Sequence, residues 1–156
     1  ARIMNLQNPL EKMSKSSPID DKGTIFILDD IEITKNKIMK SKTDSENKIY
    51  YDEINKPGIS NLISIYSSIT NKTIKEIEDM YKDKNYKEFK NDLANILEKF
   101  ILPIQEKYKK YRYSKELLEI LENGANKARI YASKKINEVK NNLGIKYDEN
   151  LNIWKY

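Results

Sequence analysis

Lys12-Met13-Ser14-Lys15-Ser16 is the stretch of this chain whose residue types and spacing best suit chemistry. Two lysines three residues apart flank a small hydroxyl residue, and Pro9 and Pro18 bound the segment. Ammonium groups on long flexible stems follow shifting phosphate oxygens without the fixed fork geometry of arginine. Such a pair suits a polyphosphate leaving group, because charge aimed at a developing pyrophosphate lowers the barrier. Removing one such donor typically costs about 3 to 4 kcal/mol. Flexible loops that close over substrate also often set the timing of catalysis. A lysine-rich chain yields a bare Lys-x-x-Lys pair by accident; the full pentapeptide between two prolines is more specific.

The loop must be carried by something, and the composition bounds what that is. The chain has 156 residues, enough for one ordinary domain, with 38% hydrophobic and 34% charged residues. No apolar run approaches the roughly 18 residues that span a bilayer, so no membrane partner is expected, and no apolar signal segment opens the chain. It contains no cysteine and no histidine. That excludes disulfides, thiolate metal sites, the commonest general base and any Ser-His or Cys-His nucleophile pair within these residues. The net charge is +5 and the pI about 9.1, which is compatible with a polyanionic partner. Arginine occurs only at Arg2, Arg112 and Arg129. Abundant Lys, Asn, Ile and Tyr, all with A/T-rich codons, give an equally good account of the charge.

Along the chain, residues 1 to 6 are β-compatible, and Ala1-Arg2-Ile3-Met4 reads as the end of a strand from something larger. Asn8-Pro9 marks a turn, and residues 10 to 23 form a polar loop broken by Pro18 and Gly23. Thr24-Ile25-Phe26-Ile27-Leu28 is a short β-prone run. Asp29-Asp30 can cap the next segment, with Glu32 three residues after Asp29, and Ile31 to about Lys40 reads as a short helix. Residues 42 to 57 lack periodicity and form a connector ending at Lys56-Pro57-Gly58. Ile59, Leu62, Ile63 and Tyr66 then fall at helical spacing. Thr73 with Glu76 is a capping box that opens a helix through about Tyr81.

Residues 86 to 112 carry an apolar face of Phe89, Leu93, Ile96, Leu97, Phe100, Ile104, Tyr108 and Tyr111, with Pro103 expected to kink or split the helix. Ser114 can cap a last long helix. Its stripe is Leu117, Leu121, Ala125, Ala128, Ala132, Ile136, Val139 and Leu143, and Gly144 ends it. The stripes predict core packing in a small antiparallel helical bundle, so the expected class is mainly α.

The pentapeptide is also the second signature of class I aminoacyl-tRNA synthetases, and its surroundings resemble the tryptophanyl branch. Ala1-Arg2-Ile3-Met4 followed by Leu6 and Pro9 is similar to the strand and turn entering that loop. Leu28-Asp29-Asp30, Thr43-Asp44-Ser45-Glu46 and Lys56-Pro57-Gly58-Ile59-Ser60-Asn61-Leu62 follow in family order. So do Pro103-Ile104-Gln105-Glu106 and Gly124-Ala125-Asn126-Lys127-Ala128. The resemblance runs from residue 1 to about Gly144; the tail from 145 to 156 has no counterpart. Ser17 departs from the acidic residue many members carry after the pentapeptide.

The resemblance implies a helical region preceded by the last strand and loop of a Rossmann-like nucleotide-binding domain. The expected division is residues 1–41 as the edge of the catalytic domain, 42–57 as connector, 58–144 as the anticodon-binding helices and 145–156 as tail. It implies ATP-dependent activation of tryptophan to the adenylate, with Mg²⁺ carried on the ATP phosphates and no protein metal ligands. Transfer to tRNA(Trp) follows, in a cytoplasmic enzyme that is a homodimer at full length, with most of the interface outside these residues. Lys12 and Lys15 would contact the phosphates and stabilise the leaving pyrophosphate. Met13 and Ser14 would hold the nucleotide through the loop backbone, Ser16 would add a hydroxyl, and Ile3 would border the adenine site. The family's first signature contains histidine, so it cannot lie in these residues, and this chain alone is expected to be inactive.

Other candidates carry less. Tyr50, Tyr51, Tyr111 and Tyr113 could stack on bases, Arg112 and Arg129 could bind phosphate, and Asp44 and Glu46 could meet a metal. Ordinary surface, core or connector roles account better for each. A non-catalytic helical RNA-binding module and a tyrosyl-tRNA synthetase are the alternative readings.

Overall fold

A computed structural model describes residues 2 to 148 and 153 to 155. Ala1, Tyr156 and residues 149 to 152 of the expected tail lie outside the described residues. Two compact units divide the chain, residues 1 to 107 and 108 to 156. The element order is α1 (Ile31–Met39), α2 (Pro57–Thr70), α3 (Ile74–Met80), α4 (Tyr86–Tyr111), α5 (Lys115–Asn142), β1 (Lys146–Asp148) and β2 (Ile153–Lys155). The class is mainly α. Among the described residues no helix is long and apolar enough to cross a membrane.

Local chemistry explains where the helices start. Asp30 caps α1 by accepting from the Glu32 backbone N–H at 2.8 Å. Asp29, the alternative cap, instead pairs with Lys37 at 2.7 Å. Pro57 occupies the first turn of α2, where a missing N–H is harmless. The Thr73–Glu76 capping box forms at α3, and Ser114 caps α5 through the Leu117 N–H at 3.1 Å. Gly144 closes α5 with a positive φ of 69°. The Gly144 and Ile145 amides donate back to Asn141 and Lys140, a Schellman arrangement.

The core of the first unit joins Leu6, Ile38 and Ile49 to the inner faces of α2, α3 and α4. At its centre Phe89 stacks on Tyr66 and meets Tyr81 edge-on, with ring centroids 5.8 and 4.8 Å apart. The Tyr81 hydroxyl reaches Asp92 at 2.9 Å, so its buried polar end is satisfied.

Three expectations fail. Residues 24 to 28 form no strand and end in a turn; the Lys37 and Gln105 side chains rather than a neighbouring strand take up the Thr24 and Ile27 carbonyls. Pro103 lies within α4, which is one helix. The apolar face of α4 is buried only as far as Ile101, and Phe100, Ile104 and Tyr108 stay exposed. The α5 stripe, read as bundle core, buries no residue; Leu121, Ile136 and Val139 are all exposed. Periodicity identifies a helix face but not whether anything covers it.

Candidate functional site

The loop is built outward from one extended segment. Met4 forms an antiparallel bridge with Lys12. The flanking ladder bonds run from the Met13 N–H to the Ile3 carbonyl at 3.1 Å and from the Asn5 N–H to the Glu11 carbonyl at 2.8 Å. The Asn5 carboxamide oxygen accepts from the Gln7 and Asn8 amides and so shapes the turn into Pro9. At the far end of the loop the Leu6 amide donates to the Gly23 carbonyl at 2.9 Å. Both ends of the loop therefore rest on residues 3 to 6.

Between those ends the side chains face outward. Lys12, Ser14, Lys15 and Ser16 are exposed, while Met13 is half-buried against the core. The Ser14 and Ser16 hydroxyls lie 3.0 Å apart, and the Ser17 amide donates to the Ser14 carbonyl. The exit is more firmly held. Asp21 accepts from the Gly23 amide and the Thr24 hydroxyl, and these bonds lower its pKa, the Thr24 bond most strongly. A Cβ at Gly23 would press on the Asn5 carboxamide and force it to shift.

Ile3, Lys12, Met13, Ser14 and Lys15 line one open cleft together with Thr24, Ile25, Phe26 and Ile27. Its volume of about 530 Å³ is that of a small-molecule site. Ser16 does not line it, but touches it through Ser14. Of the residues expected at the site, Ile3 and the first four of the pentapeptide are thus brought together.

The wall of residues 24 to 27 was missed by sequence reasoning, which saw only a β-prone run. Two side chains from helices hold it. The buried Lys37 ammonium of α1 donates to the Thr24 carbonyl and to Asp29, each at 2.7 Å, and lies 5.0 Å from the Phe26 ring centre. Gln105 of α4 donates to the Ile27 and Asp29 carbonyls at 2.7 and 2.8 Å. Gln105 was visible in sequence as part of a family segment, but nothing local indicated what it grips.

The remaining candidates sit elsewhere. Lys56, 3% exposed, gathers Glu46 at 3.0 Å, Asp44 at 3.6 Å and the Tyr50 ring at 4.0 Å. Burial alone would lower the Lys56 pKa, but Tyr86, Glu46 and Asp44 outweigh it and hold the ammonium well above its ordinary value. Burial and the bond to Asp44 push the Tyr86 hydroxyl up to about 12. Asp44 and Glu46 are thus engaged with a lysine. Tyr51 hydrogen-bonds Glu53. In the second unit Arg112 lies over Tyr108 and Tyr113, and Arg129 donates to Asn126.

The chain is similar to known proteins in sequence and in fold. The chain is 48% identical over 145 residues to the tryptophan–tRNA ligase of Bacillus anthracis and, over the same length, to that of Malacoplasma penetrans. These alignments cover 93% of this chain but only 44% and 43% of those proteins, so it spans less than half their length. The crystal structure of tryptophanyl-tRNA synthetase from Mycoplasma pneumoniae superimposes with a TM-score of 0.75 at 28% identity, over 93% of this chain and 44% of that one. The Campylobacter jejuni enzyme, solved with ADP and tryptophan, gives 0.69 at 27%, over 92% and 44%. The family described as tRNA synthetases class I (W and Y) matches residues 1–101, which hold the loop and every wall of its cleft, and the chain belongs to that family.

Proposed function

We propose that this chain is the C-terminal part of a tryptophan–tRNA ligase and supplies its ATP-handling loop. In the whole enzyme a tryptophan carboxylate oxygen attacks the α-phosphorus of ATP. The bond to the bridging oxygen breaks and pyrophosphate leaves; a terminal ribose hydroxyl of tRNA(Trp) later attacks the adenylate carbonyl, taking tryptophan and releasing AMP. Lys12 and Lys15 neutralise the charge that builds on the leaving pyrophosphate. Ser14 and Ser16 add hydroxyl donors, and Met13 and Ile3 offer an apolar border to the nucleotide. Mg²⁺ enters on the ATP phosphates.

The observation that carries this reading is the single cleft. Its cationic rim, Lys12 and Lys15, meets an apolar wall of Ile3, Met13, Ile25, Phe26 and Ile27. A nucleotide needs both: a flat base to cover and phosphates to neutralise. Residues 1–41 act as the edge of the Rossmann-like catalytic domain, 42–57 as connector, 58–144 as the helices that meet the anticodon arm and 145–156 as tail. The full-length protein is taken as a cytoplasmic homodimer.

The test is ATP–pyrophosphate exchange by the full-length protein. Lys15→Ala is expected to lower it by about 10²- to 10³-fold with tryptophan as the amino acid. Unchanged exchange would remove the loop from the mechanism. Exchange driven by tyrosine instead would assign the other branch of the family.

A further inference from the structure

The ladder between residues 3–5 and 11–13 leaves one requirement open. In an antiparallel pair, the residue lying between two ladder bonds turns its own N–H and C=O to the opposite side. Met4 is that residue, because the bonds on either side of it are made by Ile3 and Asn5. Its outward backbone groups need a neighbouring strand, and there is none among the described residues. The Asn61 carboxamide of α2 takes that place. Its oxygen accepts from the Met4 N–H and its nitrogen donates to the Met4 carbonyl, both at 2.8 Å. Asn61 is 5% exposed, so water cannot easily replace either bond.

We propose that Asn61 is a positioning residue for the ATP loop: its carboxamide acts as a one-residue third strand that fixes Met4, and through Met4 the register of Lys12 and the placement of Ile3. This rests on the loop having the role proposed above. The fit is specific to asparagine. Aspartate lacks the donor, leucine lacks both groups, and glutamine is one methylene longer. α2 is itself set against the same region. Gly58 at its start lies so close to the Lys42 backbone that a Cβ would fall 2.2 Å from the Lys42 carbonyl oxygen, and the Lys42 amide donates to the Leu6 carbonyl at 2.8 Å. Asn61 thus carries the position of a packed helix to the base of an exposed loop, where misplacement by an ångström can cost about 10²-fold in rate.

A double-mutant cycle in the full-length protein tests this, read by ATP–pyrophosphate exchange. Asn61→Leu is expected to lower kcat/KM for ATP by about tenfold or more and to leave KM for tryptophan unchanged. In a Lys15→Ala background the same substitution should lower kcat/KM by less than about threefold, because residues acting through one unit are non-additive. Equal losses in both backgrounds, a parallel rise in KM for tryptophan, or no loss in either would overturn the role of Asn61. A Lys15→Ala protein with full exchange would overturn the loop reading instead, whatever Asn61→Leu does. If circular dichroism shows Asn61→Leu to be unfolded, Asn61→Asp runs the same cycle, since it keeps the acceptor for the Met4 N–H and sets a carboxylate oxygen in place of the donor to the Met4 carbonyl.

Discussion

Lys12 and Lys15 are only three residues apart but are held differently. The bridge to Met4 sets the backbone of Lys12, whereas Lys15 sits in a turn fastened by short serine contacts. On the role proposed for the loop, Lys15 is free to follow the phosphates, and its compact charge matters more than its sign alone. Lys15→Arg should recover only part of the exchange activity lost in Lys15→Ala, because a planar fork does not track shifting oxygens; full recovery in the same assay would contradict that. Gly23 is the other sensitive residue. In Gly23→Ala the new Cβ would displace the Asn5 carboxamide from the Gln7 and Asn8 amides. A loss of about 1 to 3 kcal/mol is expected in urea unfolding, together with weaker ATP use.

Two glycines separate the roles of the helices. Gly58 opens α2 against the Lys42 backbone, which cannot move aside like a side chain. Gly58→Ala should thus cost about 1 to 3 kcal/mol from overpacking. Gly124 lies in α5 with open space for 4 Å around the point where an alanine methyl would stand, so Gly124→Ala should raise helix stability by about 0.5 to 1 kcal/mol. Thermal unfolding of the two variants should therefore move in opposite directions. Helix ends were legible in the sequence because caps are local: Thr73, Ser114 and Gly144 each act within a few residues. The pentapeptide was legible because its charges and hydroxyls are consecutive. The cleft wall was not, since it depends on Lys37 and Gln105 reaching carbonyls that no short pattern marks. Nor was the fate of α5 legible, because amphipathic spacing reports a face and not its partner.

Lys56 ties the first unit together. It brings Asp44 and Glu46 of the 42–57 segment to the start of α2 and the Tyr86 ring at the start of α4. Removing it takes the lysine partner from Asp44 and Glu46, and Lys56→Met should lower the midpoint of chemical unfolding. The pH dependence follows from the directions of the shifts. Burial tends to raise the Asp44 pKa, but the Tyr86 hydroxyl, the Glu46 amide and Lys56 reverse that and leave it lowered. Its contribution is therefore in place above the ordinary aspartate value of about 3.9 and is lost as the pH falls through the lower folded value. Lys56 is raised, so its contribution holds below the ordinary lysine value of about 10.4 and goes as the pH climbs through the folded one. Asp44→Asn should flatten the acid limb of a stability–pH curve and also weaken the alkaline limb, since Asp44 helps to hold Lys56 and Tyr86 raised; an unchanged acid limb would show that other carboxylates govern it.

The two ends of the loop both stand on residues 3 to 6, Met13 against Ile3 and Gly23 against Leu6. Residues 14 to 22 thus form an arch with fixed feet. Extra length near its crown, where Ile19 is 88% exposed, changes the reach of the arch and not its footing. One residue added between Ile3 and Leu6 does the reverse: it puts Ile3 and Leu6 out of step, so that Met13 and Gly23 no longer both keep their partners. The arch can accordingly vary in span among related chains or redesigned ones, while the short segment beneath it tolerates no change in length.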